Sequence, residues 1–182
     1  MSTPTPPPDP LDAALAGLKA AIKTLAPKSQ QMVIDWLIRW GNLIVREKKF
    51  DPQYVPYFKR GDIVYVDLGF NVGSEHGGVH YAAIYEYSNN KKNKNVVVVP
   101  LSSVYDETKI SHADLYLGDD IIPWTPGVKT IAKPNQIRSI SKMRILKPLS
   151  AGDSKAKLKA EHLDKIDAKL KELLFKPEPT TE

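Results

Sequence analysis

Three hydrophobic periodicities follow one another along the chain. Leu11, Leu15, Leu18, Ile22 and Leu25 recur at alternating intervals of four and three residues, which places them on one face of a helix. Pro27 ends that helix, because the residue before a proline is pushed out of the α region. A second helical pattern runs over about residues 29–48, with Val33, Trp36, Leu37, Trp40 and Ile44 as its apolar stripe. The two segments predict a helical hairpin that serves as a docking platform or dimer contact, with a partner-binding arm as the alternative.

From Ile63 the period changes to two. Ile63, Tyr65 and Asp67 fall on one face, and Val64, Val66 and Leu68 on the other. Tyr81 to Tyr87 and Val96 to Leu101 read as the next strands, joined by a polar hairpin loop rich in Asn and Lys. Thr130 to Ala132 and Arg144 to Leu146 are further short strands, with a short helical turn over Pro134 to Ser141 between them. The last period is helical again over about residues 154–175, where Leu163, Ile166, Leu170 and Leu173 form the apolar stripe. Short strands with polar turns, flanked by helices, predict an α+β chain built on a small, closed or half-closed β-barrel. The expected organisation is a Pro-rich tail (1–10), a helical extension (11–50), the barrel (51–150), a C-terminal helix (151–176) and a tail (177–182). Five of the first ten residues are proline, so that tail forms neither helix nor sheet.

Composition narrows the classes. At 42% hydrophobic and 26% charged residues, the 182-residue chain reads as globular rather than disordered. It contains no cysteine, which excludes disulfides, thiolate metal sites and a cysteine nucleophile. No apolar run approaches the roughly 20 residues that span a bilayer, and the N-terminus has no secretory-signal pattern. A cytoplasmic location is the expectation. The net charge of +5 permits a polyanionic partner without demanding one.

Candidate chemistry concentrates in the segment RGDIVYVDLGFNVGSEHGGVH, residues 60–80, and in Ser102 with Ser103. The first strand opens onto a Gly-rich loop that carries Phe70, Ser74, Glu75 and His76 and returns to a strand at His80. Backbone amides of such a loop, a hydroxyl and basic side chains can hold a phosphate, and a histidine can transfer a proton near neutral pH. His76 and His80 mimic a metal-ligand spacing, but the loop is not helical and offers no third ligand, so no metal site is expected. Gln136, Arg138, Lys142 and Arg144 form a basic segment suited to phosphate binding or interface pairing. Lys91 and Lys92, with Lys94, lie on the polar hairpin, where they would track a nucleic-acid backbone. Among the aromatics, Phe70 is the one placed to stack on an unpaired base.

Three of these stretches, in this order, resemble the MazF/PemK family of toxins from bacterial type II toxin–antitoxin systems. They are Arg60-Gly61-Asp62 with its strand, Gly73-Ser74-Glu75-His76-Gly77-Gly78, and Asn135 to Lys142, which is similar to the family's Q-I-R-T-I-x-K segment. The resemblance implies a small SH3-like β-barrel of the MazF/CcdB type. It further implies a homodimer that cleaves single-stranded RNA, messages included, without a metal or other cofactor. Cleavage would leave a 2′,3′-cyclic phosphate and a 5′-hydroxyl, and a cognate antitoxin would silence the toxin by filling its RNA groove. His80 stands where many members carry a catalytic arginine, and Ser102 matches the family's catalytic Ser/Thr. The resemblance makes His80 and Ser102 the catalytic pair. It places Ser74, Glu75, His76, Gln136 and Arg138 along the RNA groove, and with Phe70, Lys91 and Lys92, chosen from their own chemistry, these are the expected RNA-binding residues. The exchange of arginine for histidine leaves two alternatives open: a non-enzymatic CcdB-like gyrase poison, or a barrel with a weak site acting as a binding module.

Overall fold

The computed structural model describes residues 9–119, 121–122, 129–148 and 156–176. Backbone contacts divide the chain into two compact units, with the division between Val45 and Arg46.

The first unit is helical. Helix α1 spans Pro10–Lys23, with Pro10 in its first turn and the Asp9 carboxylate accepting the Leu11 N–H at 2.8 Å. Proline suits this position because its missing N–H would have no helical partner there. Helix α2 spans Pro27–Glu47 and again begins with proline. No residue of α1 is buried, and in α2 only Val33 is.

The second unit is the sheet and its covering helix. Its strands are β1 (Ile63–Asp67), β2 (Val79–Ile84), β3 (Asn95–Val104), β4 (Leu115–Asp119), β5 (Lys129–Ala132), β6 (Arg138–Ser141) and β7 (Ile145–Pro148). All pairings are antiparallel, in the order β4-β5-β3-β2-β1-β7. β6 pairs with residues 95–98 of β3, while β5 pairs with residues 101–104 of the same long strand. Among the described residues β4 and β7 are not paired with each other, so the expected barrel is an open one. The expected turn over Pro134 to Ser141 divides into a short 3-10 turn at Pro134–Gln136 and the strand β6. β6 and β4 escape a periodicity reading because each buries a single residue, Ile140 and Leu117, so no apolar alternation shows along them.

The sheet buries both faces. Ile63, Ala83, Val99, Leu101 and Ala132 pack beneath helix α3 (Ala160–Leu174), which contributes Ile166 and Leu170. Val64, Val66, Ala82, Ile84, Val96 and Val98 form the second apolar layer with Phe58 and Ile140. The predicted start of the last helix, at Ser154, lies outside the described residues, as does most of the proline tail.

The Arg60-Gly61-Asp62 element ties these layers together. Gly61 has φ 88°, and a Cβ there would stand 3.1 Å from the Leu158 carbonyl oxygen, so glycine is required. The close approach allows the Leu158 N–H to donate to the Gly61 carbonyl at 2.9 Å. The Asp62 carboxylate accepts the Lys59 N–H at 2.7 Å. Arg60 reaches Asp167 of α3 at 2.5 Å, with its guanidinium 4.1 Å from the Tyr85 ring centroid and 4.9 Å from that of Tyr87. Each residue of the motif therefore has a structural task at the strand–helix junction.

Candidate active site

The site grows from strand register. Val66 pairs with His80 across β1 and β2, Tyr81 pairs with Leu101 across β2 and β3, and Ser102 pairs with Ile131 across β3 and β5. One step further along the β2–β3 register sets His80 opposite Ser102. Directly opposed residues share a face, so Val66, His80, Ser102 and Ile131 form one row across four strands. In the next row Ala82 faces Pro100, whose carbonyl accepts the Lys133 N–H at 2.9 Å. The histidine and serine thus stand at the end of the second apolar layer, where the sheet meets the loop of residues 68–78.

That loop is closed at its neck. The Leu68 N–H donates to the Gly78 carbonyl at 2.8 Å, and the Gly78 N–H donates back to the Gly69 carbonyl at 2.6 Å. Gly69 and Gly78 have φ 85° and 81°, a left-handed conformation in which a side chain would be strained. Arg144 donates to the Leu68 carbonyl at 3.2 Å from outside the loop. Gly77 has a different reason to be glycine: an added Cβ would lie 2.9 Å from the Gly69 carbonyl oxygen and 3.3 Å from the Asn71 nitrogen. Both neighbours are backbone and cannot swing away. Gly77→Ala is expected to cost about 1–3 kcal/mol by forced overpacking, read as a lower urea midpoint at unchanged slope.

His76 is held from two sides. Its N–H donates to Gln136 Oε1 at 3.1 Å, and its carbonyl accepts Asn71 Nδ2 at 2.9 Å. Gln136 Oε1 also accepts Arg138 Nη2 at 3.0 Å, so a single amide oxygen orients both the loop and the guanidinium. The clamp sets the His76 ring on the His80 ring, with centroids 4.1 Å apart and planes inclined by 42°. Lys133 completes the group, with Nζ 3.1 Å from the Asp114 carboxylate.

Both imidazoles are neutral at neutral pH. Burial pushes His76 down to about 4, reinforced by charge on His80, Lys133 and Arg138. His80 also lies below its ordinary value, chiefly by burial and further by Lys133, with the Gly77 carbonyl pulling the other way. A neutral ring can accept a proton, so the pair is poised as base rather than acid. Ser102 is half-buried and Ser103 exposed, so the former is the hydroxyl beside His80.

The structure gathers His76, His80, Ser102, Gln136 and Arg138, with Phe70, Ser74 and Glu75 exposed on the adjoining loop. It does not bring Lys91 and Lys92 to this group. They lie in the β2–β3 hairpin, at the end of the strands opposite the loop of residues 68–78. Lys142 is committed elsewhere too: it is 2% exposed, donates to the Asn90 carbonyl at 2.8 Å and braces the same hairpin. The sequence reading missed Lys133 and its partner Asp114. The only signal was the lysine directly before Pro134-Asn135-Gln136. Among the described residues no three His, Asp or Glu side chains cluster to hold a metal ion, and no helix is long and apolar enough to cross a membrane.

Comparison with known proteins follows the same lines. The chain resembles MazF of Deinococcus radiodurans in crystal form I, with 22% identity over 66% of this chain and 97% of that one, and a TM-score of 0.49. For the MazE–MazF crystal structure from the same organism, form II, the values are 20%, 65%, 96% and 0.46. Comparison with curated protein sequences returned no significant match. A family profile matches residues 59–174, which is more than half of the chain and contains the whole group around His80. The chain therefore belongs to the family of PemK-like, MazF-like toxins of type II toxin–antitoxin systems.

Proposed function

We propose that this toxin is a sequence-specific endoribonuclease that cuts single-stranded RNA without a metal ion, acts in the cytoplasm as a homodimer and is silenced by a cognate antitoxin. The observation that carries the reading is the shared row of His80 and Ser102, a neutral imidazole next to a hydroxyl, with Lys133 and Arg138 close by. RNA supplies its own nucleophile, so such a site needs only a base, phosphate donors and a means of orienting the strand.

In this reading His80 takes the proton of the ribose 2′-hydroxyl. The freed oxygen attacks the adjacent phosphorus, the bond from phosphorus to the 5′-oxygen breaks, and the leaving oxygen is protonated from solvent. The products are a 2′,3′-cyclic phosphate and a 5′-hydroxyl. Ser102 donates a hydrogen bond to a phosphate oxygen, and Arg138, held by Gln136, supplies a planar fork of donors. His76 packs against His80 and limits its rotation. Phe70 offers an exposed ring for base stacking, and the Gly73-Ser74-Glu75 tip borders the strand's path.

The test is incubation of the purified protein with a long single-stranded RNA in EDTA. Discrete fragments with 5′-hydroxyl ends are expected. Ser102→Ala should slow their appearance about 10–100-fold, the loss of one hydrogen bond to a charged group. Intact RNA under these conditions would defeat the reading in favour of a non-enzymatic partner-binding toxin.

A further inference from the structure

The row that holds His80 and Ser102 continues past β5. Ile131, opposite Ser102, pairs on its other side with Tyr116 of β4. The row thus runs Val66, His80, Ser102, Ile131, Tyr116, and Tyr116 closes it on the edge strand away from the loop of residues 68–78. At about 4.8 Å per strand, Tyr116 lies roughly 10 Å from Ser102 and 14 Å from His80 along the sheet. Ile131 is 5% exposed and Tyr116 39%, so the phenol ring is the first accessible surface beyond the serine in this direction.

The ring is also held in place. On a regular strand Tyr116 and Asp119, three residues apart, would project to opposite faces. The pairing of β4 with β5 shifts between Tyr116 and Gly118, a β-bulge in which Gly118 takes φ 140°. Tyr116 stands opposite Ile131 and Asp119 opposite Lys129, two residues away on β5, so the bulge returns Asp119 to the face of Tyr116. Its carboxylate accepts the phenol O–H at 2.7 Å. Between them Leu117 turns the other way, into the layer beneath α3. A bulge beside a site re-aims a side chain, and the side chain aimed here is an aromatic ring on the face of His80 and Ser102.

We propose that Tyr116 is a base-stacking subsite, which takes an unpaired base on the side of the scissile phosphate away from Phe70. The proposal rests on the reading of this row as an RNA site. Every base has a π-face, so the subsite adds affinity and fixes the position of the strand while reading no hydrogen-bond pattern. Phe70 is 42% exposed on the loop at the other end of the row. Two rings flanking His80 and Ser102 hold the strand across both, which keeps one 2′-hydroxyl at the imidazole.

The probe is a single-stranded 2′-fluoro oligonucleotide of mixed sequence carrying 5-iodouracil, which has no 2′-hydroxyl to attack and cross-links to stacked aromatic rings under ultraviolet light. With the full-length protein the cross-link should map to Tyr116. Binding by fluorescence anisotropy should weaken about 5–150-fold in Tyr116→Ala, the worth of one base–aromatic stack. Tyr116→Phe, which keeps the ring and loses the bond to Asp119, should bind nearly as wild type does. No cross-link at Tyr116, or wild-type affinity in Tyr116→Ala, would overturn the subsite; so would a loss in Tyr116→Phe equal to that in Tyr116→Ala, since the hydroxyl and not the ring would then be the contact. The cross-link is made on the unaltered protein and decides even if Tyr116→Ala misfolds. Cleavage of ordinary RNA in EDTA by the wild type is scored separately. Cutting without a role for Tyr116 defeats the subsite alone, Tyr116-dependent binding without cutting defeats the nuclease reading alone, and no binding defeats both.

Discussion

His80→Ala is expected to slow RNA cleavage by about 10²–10⁴-fold, the range contributed by a positioned general base. The pH profile separates this role from mere packing. Burial and Lys133 hold the imidazole below its ordinary value of 6.5. The neutral ring is the active form, so the rate is full above the depressed value and falls about tenfold per unit below it. The acid limb therefore lies lower than an ordinary histidine would place it. Removing the neighbouring cation by Lys133→Met leaves Asp114 unopposed and should move that limb to higher pH. His80→Arg should restore phosphate grip without a titrating base, giving a flat profile over the same range. Initial rates on a short fluorescent oligoribonucleotide, taken between about pH 4 and 8, measure all of these. A wild-type rate in His80→Ala would end the assignment, and an acid limb that persists in His80→Arg would remove His80 as the titrating group.

The largest stability effect is expected at a residue remote from chemistry. Ile166 is 0% exposed and packs in the layer that α3 builds with Ile63, Ala83, Val99 and Leu101. Ile166→Ala removes three carbons from a close-packed site and should cost about 2–5 kcal/mol, transfer and cavity terms together. For a chain of this size each kcal/mol is worth roughly 2–4 °C, so calorimetry should find the melting temperature about 5–15 °C lower. Leu174, at the end of the same helix, is 61% exposed, and Leu174→Ala should leave the transition almost unmoved. Similar losses from the two substitutions would contradict the packing described for α3. Arg60 and Asp167 fasten that helix to the start of β1 and act on the same cooperative unit.

Much of this architecture is legible in the residues because local periodicity reports which face of an element is buried. Alternation in Ile63 to Leu68 places those side chains correctly on opposite faces of β1, and the two layers confirm the split. The stripe of Leu163, Ile166 and Leu170 likewise predicts the face α3 buries. Glycine is legible for the same reason: Gly61, Gly69 and Gly78 adopt positive φ at the ends of the loop and strand. The family follows from those motifs, since residue order along a loop survives where overall identity does not.

By itself, then, the sequence determined the helices, the strands other than β4 and β6, the two faces of β1, the Gly-rich loop and the family to which they belong. Only the tertiary structure decided which charges share a site. Lys133 reaches the His80 group because β5 pairs with β3. Lys142, expected among the basic residues of its segment, is buried beneath the hairpin because β6 pairs with the far part of the same strand. Lys91 and Lys92 go to the opposite end of the strands by the geometry of an antiparallel hairpin. The contact of His76 with His80, and the burial that keeps both rings neutral, rest on Gln136, sixty residues away in sequence from the N–H it holds. Periodicity encodes what a residue does within its own element. Register and burial arise between elements, and they set the charge and the neighbours on which the chemistry depends.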